Sequence, residues 1–204
     1  MKRYSFLFLL FFQILPFSLS LAQNTDSLWS VYRNIKNHDT IRLEAFNIIA
    51  WNLLYSNPDS SYSLGFEELE IARSKKIKKS EANALNTIAA SFQVKFNYLK
   101  AIEFYQQSLK IREELGDRKG ISSSLANIGS IYINIEEFEK ALDYQKKSLV
   151  MFEEMKNREG TASALNNIGV IYNNLADFPK ALADRKSTRL NSSHSDRSRM
   201  PSSA

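Results

Sequence analysis

Four pairs of adjacent glutamates, Glu67-Glu68, Glu113-Glu114, Glu136-Glu137 and Glu153-Glu154, come nearest to a chemical motif in this sequence. Two neighbouring carboxyls could divide the work of a general acid and a general base, provided a cleft drove their pKa values apart. The pairs recur instead beside Lys and Arg, which is the pattern of a solvated helix face, and nothing in the sequence around them predicts such a cleft. Of the two histidines, His38 falls in a loop and His194 close to the last residue. Cysteine is absent, and there is neither a histidine pair at metal spacing nor a glycine-rich phosphate loop. Nucleophilic, metal-assisted and phosphoryl-transfer reactions therefore lack their parts. The sequence predicts a protein that is not an enzyme and carries no cofactor.

Charge points to no polyanionic partner either. Of the net charge of +5, Lys2 and Arg3 supply two, residues 184–204 supply a net three, and residues 23–183 are neutral. The basic balance belongs to the ends, so the middle has no electrostatic reason to bind nucleic acid. At the N-terminus, Lys2 and Arg3 precede the apolar run Phe6 to Leu15, Pro16 breaks it, and Ser20-Leu21-Ala22 places small residues where a signal peptidase reads. Residues 1–22 are thus expected to be a secretory signal with cleavage before Gln23; the apolar run is short for a membrane span. Without cysteine there is no disulfide framework and no lipidated residue at the cleavage point. The expectation is an exported protein of a bacterial periplasm or cell envelope.

The organisation of the middle is a repeat of forty residues. Leu125, Ile128, Gly129 and Tyr132 return as Leu165, Ile168, Gly169 and Tyr172, and occur one period earlier as Leu85, Ile88, Ala89 and Phe92; Phe46, Ile49, Ala50 and Leu53 form a weaker copy one residue out of step. Nine residues after each strong aromatic stands a small residue, Ala101, Ala141 or Ala181, with Ser61 as the earliest counterpart. Apolar positions three and four apart, as in Leu125, Ile128 and Tyr132 and then Phe138, Leu142, Leu149 and Phe152, are the period of a helix with one buried face. Asn57, Asn97, Glu137 and Asp177 stand at one phase ahead of the second helix of each unit, where Asn and Asp cap free backbone N–H groups. Gly116-Asp117 ends one helix and caps the next, with Asn157 as the following equivalent of Asp117. Each unit is therefore two helices. Ala89, Gly129 and Gly169 are expected to let them approach closely, and Tyr132 and Tyr172 to fill the core.

This spacing of leucine, isoleucine, glycine and tyrosine, followed by alanine, resembles the tetratricopeptide repeat in a long variant. The resemblance implies an all-α fold, a right-handed α-solenoid of stacked antiparallel helix hairpins. It covers residues 39–183 as three full repeats and a truncated fourth, after a leading helix and linker at 23–38. It also implies that the first helix of each unit lines a concave groove holding a peptide or a partner's helix. Transferred by repeat phase, the lining is Asn86 and Gln93, then Asn127, Ser130 and Asn134, then Asn166, Asn167 and Asn174. An amide both donates and accepts, so such a ladder suits the backbone of an extended peptide; equally, Asn127 and Asn167 could bond neighbouring helices. Lys and Arg, which an acid-binding groove needs, are not evident at these phases. The implied function is a non-catalytic interaction scaffold with a protein or peptide partner. The alternative is the extracytoplasmic sensor region of a membrane histidine kinase, nucleotide cyclase or transcriptional regulator, its output domain and membrane helix lying further downstream.

The apolar phase stops at Ala183. Forty residues after Tyr144, Leu149, Phe152 and Met155 the chain has Asp184, Arg189, Ser192 and Ser195. A charge at such a buried phase would cost several kcal/mol unpaired, on the order of the penalty for an isolated ion. Residues 184–194, DRKSTRLNSSH, and 198–204, SRMPSSA, resemble a translated sequencing adapter around a short index. Residues 184–204 are accordingly expected to be a disordered, artefactual tail, with apolar surface left open on the last repeat. Sequencing an independent library across codon 184 is expected to replace this tail with other residues; recovery of the same 21 codons would refute that expectation.

Overall fold

The computed structural model describes residues 25–176. The expected signal peptide, the second helix of the fourth hairpin and the tail 184–204 lie outside the described residues. The described residues form eight helices and no strand: α1 (25–33), α2 (Asp39–Asn52), α3 (Pro58–Ser74), α4 (Lys78–Val94), α5 (Tyr98–Leu115), α6 (Arg118–Asn134), α7 (Phe138–Glu154) and α8 (158–176). The pairs α2 with α3, α4 with α5 and α6 with α7 occupy the three predicted repeats, and α8 opens the fourth. The chain divides into two compact units between Ser124 and Leu125, inside α6.

Capping follows the side chains that can cap. Asn57 accepts from the N–H of Ser60 (3.1 Å), Asn97 from Lys100 (3.4 Å), Asp117 from Gly120 (3.0 Å) and Asn157 from Gly160 (3.1 Å). Glu137, at the same phase as Asn57 and Asn97, makes no capping bond; its longer side chain reaches Lys140 instead (3.3 Å). The α2 N-terminus has a cap of another kind, the His38 ring nitrogen Nδ1 facing the N–H of Thr40 at 3.3 Å.

Five helix ends are closed by one device. Lys76, Phe96, Gly116, Glu136 and Lys156, twenty residues apart, all take left-handed backbone angles with φ between 55° and 66°. In each case the next residue's N–H returns to a carbonyl five positions back: Ile77 to Ala72, Asn97 to Phe92, Asp117 to Arg112, Glu137 to Tyr132 and Asn157 to Phe152, at 2.8–2.9 Å. The left-handed residue itself donates three positions back, as from Lys76 to Arg73 (3.1 Å) and Lys156 to Glu153 (2.9 Å). The carbonyls that a helix end would leave bare are thereby satisfied. Only Gly116 adopts this conformation without a Cβ penalty.

In the first unit, α1 lays Trp29 and Tyr32 against α2. Tyr32 stacks on Phe46 at 4.4 Å, Trp29 meets both rings edge-on at 5.9 Å, and Arg42 Nε donates to the Tyr32 carbonyl at 2.8 Å. Leu43, Phe46, Ile49, Leu54, Leu69, Leu85 and Ile88 are buried in this unit. Phe92 stacks on Phe104 at 5.5 Å, and in the second unit, forty residues on, Tyr132 stacks on Tyr144 at the same distance. A lysine one turn into the second helix covers each pair: Lys100 over Phe92 (5.3 Å) and Lys140 over Tyr132 (5.6 Å). The second unit's core contains Phe138, Ala141 and Ile171, with Tyr132, Ile133, Leu142 and Leu175 packed around them.

Two sequence expectations need correction. Tyr172 does not fill a core, being 50% exposed; the position forty residues after Tyr144 is Asp184, which offers no ring. Glu68 is not on a solvated face but fully buried, although Glu67 beside it and the other three pairs are exposed. The face of α3 that carries Glu68 turns toward α2, where Asn47 Nδ2 donates to Glu68 Oε2 at 2.7 Å.

No described residue lies within 4 Å of where a Gly116 Cβ would stand, so Gly116→Ala is expected to cost only the backbone penalty, about 1 kcal/mol. Lys156→Gly, at nearly the same φ, is expected to be neutral or to gain a few tenths of a kcal/mol, about the balance of relieved strain against chain entropy. Urea midpoints of the two variants should move in opposite directions or leave Lys156→Gly unmoved; equal losses would contradict this assignment of strain.

Candidate interaction surface

The residues assigned to the groove by phase divide according to how their polar atoms are engaged. In the first unit, Asn86 is half-buried on α4 and makes no side-chain hydrogen bond to another described residue. Gln93, about two turns further along, is tied to its own hairpin: its Oε1 accepts from the hydroxyl of Tyr105 on α5 at 3.1 Å. Tyr105 is 1% exposed, and burial pushes its phenol well above the usual range. Gln93 therefore holds α4 to α5 and offers a ligand only its amide nitrogen.

In the second unit, Ser130 is the centre of a polar node. Its Oγ donates to the Ala126 carbonyl (3.0 Å) and faces two amide nitrogens, Asn167 Nδ2 of α8 (3.4 Å) and Gln145 Nε2 of α7 (3.5 Å). Gln145, fully buried, also donates to the Ala126 carbonyl at 3.0 Å. Ser130 and Asn167 are thus brought together, whereas Asn127 is half-buried without a side-chain bond to another described residue. Of the two roles open to Asn127 and Asn167, bonding between helices describes Asn167. Asn134 is exposed at the end of α6, and Asn166 and Asn174 are exposed on α8, where Asn174 returns its amide to the Val170 carbonyl at 2.8 Å.

Gln145 was not legible as part of this buried node, because its phase carries Gly65 and Tyr105 in the earlier repeats. Its place depends on Gly129: a Cβ there would lie 2.8 Å from Gln145 Nε2. Gly169 was expected to serve the same purpose, but no described residue stands within 4 Å of its Cβ position. The residue due in that slot by phase is Arg185, outside the described residues.

Apolar side chains border the amides. On α8, Leu165 is 51% exposed, whereas Leu125 and Leu85 at the same phase are 9% and 1% exposed. The last described repeat leaves open the face that its predecessors cover, as the sequence predicts. Elsewhere a cavity of about 230 Å³ in the first unit is lined by Tyr32, Asp39, Arg42, Leu43, Ile71 and Lys75. Its cations are engaged already: Lys75 Nζ and Arg42 Nη1 reach the two Asp39 oxygens at 2.7 and 2.9 Å and hold that carboxyl below its usual range. Among the described residues no acidic or histidine cluster is placed to hold a metal ion, and no helix is long and apolar enough to cross a membrane.

The sequence model of the tetratricopeptide repeat matches residues 80–154 and 121–184, together just over half of the chain. The chain belongs to the tetratricopeptide-repeat family. Solved structures of similar fold agree with an all-α helical solenoid. The apo form of RapI is 21% identical over 72% of this chain, with a TM-score of 0.60. BtubC from P. vanneervenii is 16% identical over 93% of this chain and 78% of its own, with a TM-score of 0.64. A Rap protein complexed with Competence and Sporulation Factor is 18% identical over 73% of this chain, with a TM-score of 0.64. This tetratricopeptide chain spans 42% and 43% of the two Rap proteins. No curated protein matches it.

The node predicts opposite outcomes for one substitution at two repeat-equivalent sites. Gly129→Ala is expected to lower stability by about 1–3 kcal/mol, since Gln145 must leave its slot. Gly169→Ala is expected to raise it by about 1 kcal/mol through helix propensity alone. Thermal and urea unfolding of the two variants would check this, and a stabilised Gly129→Ala would refute the close contact.

Proposed function

We propose that this tetratricopeptide chain is a non-catalytic scaffold that binds a protein or peptide partner along the first helices of its hairpins, through neutral hydrogen bonds to an extended segment. The observation that carries the reading is a set of amides on the first helices, Asn86 and Asn166 at one repeat phase and Asn127 at the next position of its unit, that make no side-chain hydrogen bond to another described residue, with no lysine or arginine among the assigned lining residues. An unpaired amide at a solvent margin can take both a backbone N–H and a backbone carbonyl from a ligand. Ser130, Asn134, Asn167 and Asn174 extend the polar surface in the second unit, and exposed Leu165 and Val170 offer apolar contact beside it. That one similar structure is a Rap protein complexed with Competence and Sporulation Factor supports the choice of partner class. The N-terminal signal pattern supports export, which places the binding event in a bacterial periplasm or cell envelope.

Neutral recognition has a distinct signature. In a screen of uncharged peptides by fluorescence polarisation, Asn127→Ala is expected to weaken capture about tenfold, the equivalent of one good hydrogen bond, with the melting temperature unchanged. Asn167→Ala should weaken capture too, and should also lose up to about 1 kcal/mol of stability with its bond to Ser130. Affinity should change little with ionic strength, since no ion pair carries it. Loss of folding equal to loss of capture in Asn127→Ala, or binding that collapses at high salt, would refute the proposal.

A further inference from the structure

Glu68 is the member of the glutamate pairs that the fold removes from water, at 0% exposure. It stands on α3, and the helices on either side meet at its carboxyl. Asn47 of α2 donates Nδ2 to Glu68 Oε2 at 2.7 Å, and the same nitrogen lies 3.0 Å from the Thr87 hydroxyl of α4. Glu68 Oε1 is buried with no hydrogen-bond partner among the described residues. The carboxyl thus has one donor where an ionised carboxylate would ask for several.

The charged groups of the surrounding helices give it no counterion. On α2, Asp39 is held by Arg42 and Lys75, and Glu44 is exposed. On α4, Glu81 is held by Arg73 and Lys78, and Lys79 is exposed. On α3 itself, Glu67 and Glu70 are exposed, and Asp59 pairs with Lys95. None of them acts on Glu68, whose surroundings reduce to burial and the Asn47 bond. The fold does not demand an acid here, for the next two hairpins carry buried Ser108 and Ser148 at this phase.

We propose that Glu68 makes the first hairpin a pH-responsive element: as the neutral acid its carboxyl lets α2, α3 and α4 close around it, and on ionising it loosens α2 from the other two. A negative charge without a counterion in a low-dielectric interior is costly, and opening the hairpin returns it to water. Burial pushes the carboxyl up to about 8, opposed only by the Asn47 bond, against a usual value of 4.5 for the exposed group. The stabilisation from the neutral acid is complete below the exposed group's value, declines as pH rises through the interval between the two values, and is gone above about 8. Within that interval each pH unit lowers the closing equilibrium constant about tenfold, because opening releases one proton.

The chain contains its own reporter, since its two tryptophans are Trp29, packed 5.9 Å from Phe46 of α2, and Trp51 on α2. Urea unfolding of the full chain would be followed by tryptophan fluorescence and by far-ultraviolet circular dichroism from pH 5.5 to 9. The wild-type fluorescence midpoint is expected to fall with pH and level off near 8, by more than the dichroism midpoint falls. In Glu68→Gln, and in Glu68→Ser, which installs the residue of the later hairpins, that fall should disappear and the midpoint above pH 8 should exceed the wild type's. A flat wild-type fluorescence profile, or variants that keep the wild-type profile, would overturn the proposal; should the Gln variant fail to fold, the Ser variant and the wild-type profile decide.

Discussion

Every twenty residues the chain must turn back on itself with a helix on each side, and that reversal is the constraint the rest of the fold depends on. One left-handed residue makes it each time from Lys76 to Lys156, and the two hydrogen bonds that accompany it fix the exit direction of the next helix. Because the reversal is a backbone event, side chains at the turn vary freely: lysine, phenylalanine, glycine, glutamate and lysine occupy the same conformation. Four of the five are held there against their intrinsic preference, at on the order of 1 kcal/mol each, so it is helix packing that keeps them in place.

Packing between the helices works through complementary volumes. Gly129 makes room for Gln145 across its hairpin, while Gly65 makes room for Ile88 on the helix after it. A second exchange joins the end of one hairpin to the start of the next, where Ala72 precedes Ser80, Arg112 precedes Gly120 and Phe152 precedes Gly160. Arg112 lies against Gly120 and reaches Ser108 (3.1 Å), Asn83 (3.0 Å) and Asp117 (2.8 Å). In the next repeat the Phe152 ring takes that space against Gly160. Buried serines at Ser61, Ser91 and Ser108 are likewise small enough for close helices, and they bond mostly across them: Ser91 Oγ reaches Ser61 Oγ of α3 (3.1 Å) and the Thr87 carbonyl of its own helix (2.9 Å), and Ser108 Oγ donates to the Ala82 carbonyl of α4 (2.8 Å).

The hairpins, their boundaries to within a few residues and most of the caps were legible in the sequence, because period and capping chemistry are local. Asn57, Asn97, Asp117 and Asn157 cap as their side chains dictate, and Glu137 makes no such bond, its longer side chain pairing with Lys140. The turns were not legible, since only Gly116 of the five advertises a left-handed angle. Nor was the depth of Glu68, whose neighbours in sequence are those of any exposed acid; its burial follows from Asn47 and Thr87 on other helices. Of the residues assigned to the interaction surface, which lie on α4, α6 and α8, phase could not foresee that Gln93 is drawn to Tyr105 and Asn167 to Ser130, because the residues opposite change from repeat to repeat.

The paired volumes across the junctions between hairpins bear on how such an array can evolve. Arg112 with Gly120, and Phe152 with Gly160, each straddle the point where one forty-residue unit ends and the next begins. Recombination that shuffled whole hairpins as cassettes would separate these partners, and could set the Phe152 ring against Ser80, whose predecessor is only alanine. A crossover in the middle of a hairpin would carry each pair across intact. The unit that keeps its packing partners together therefore runs from the middle of one hairpin to the middle of the next rather than from turn to turn.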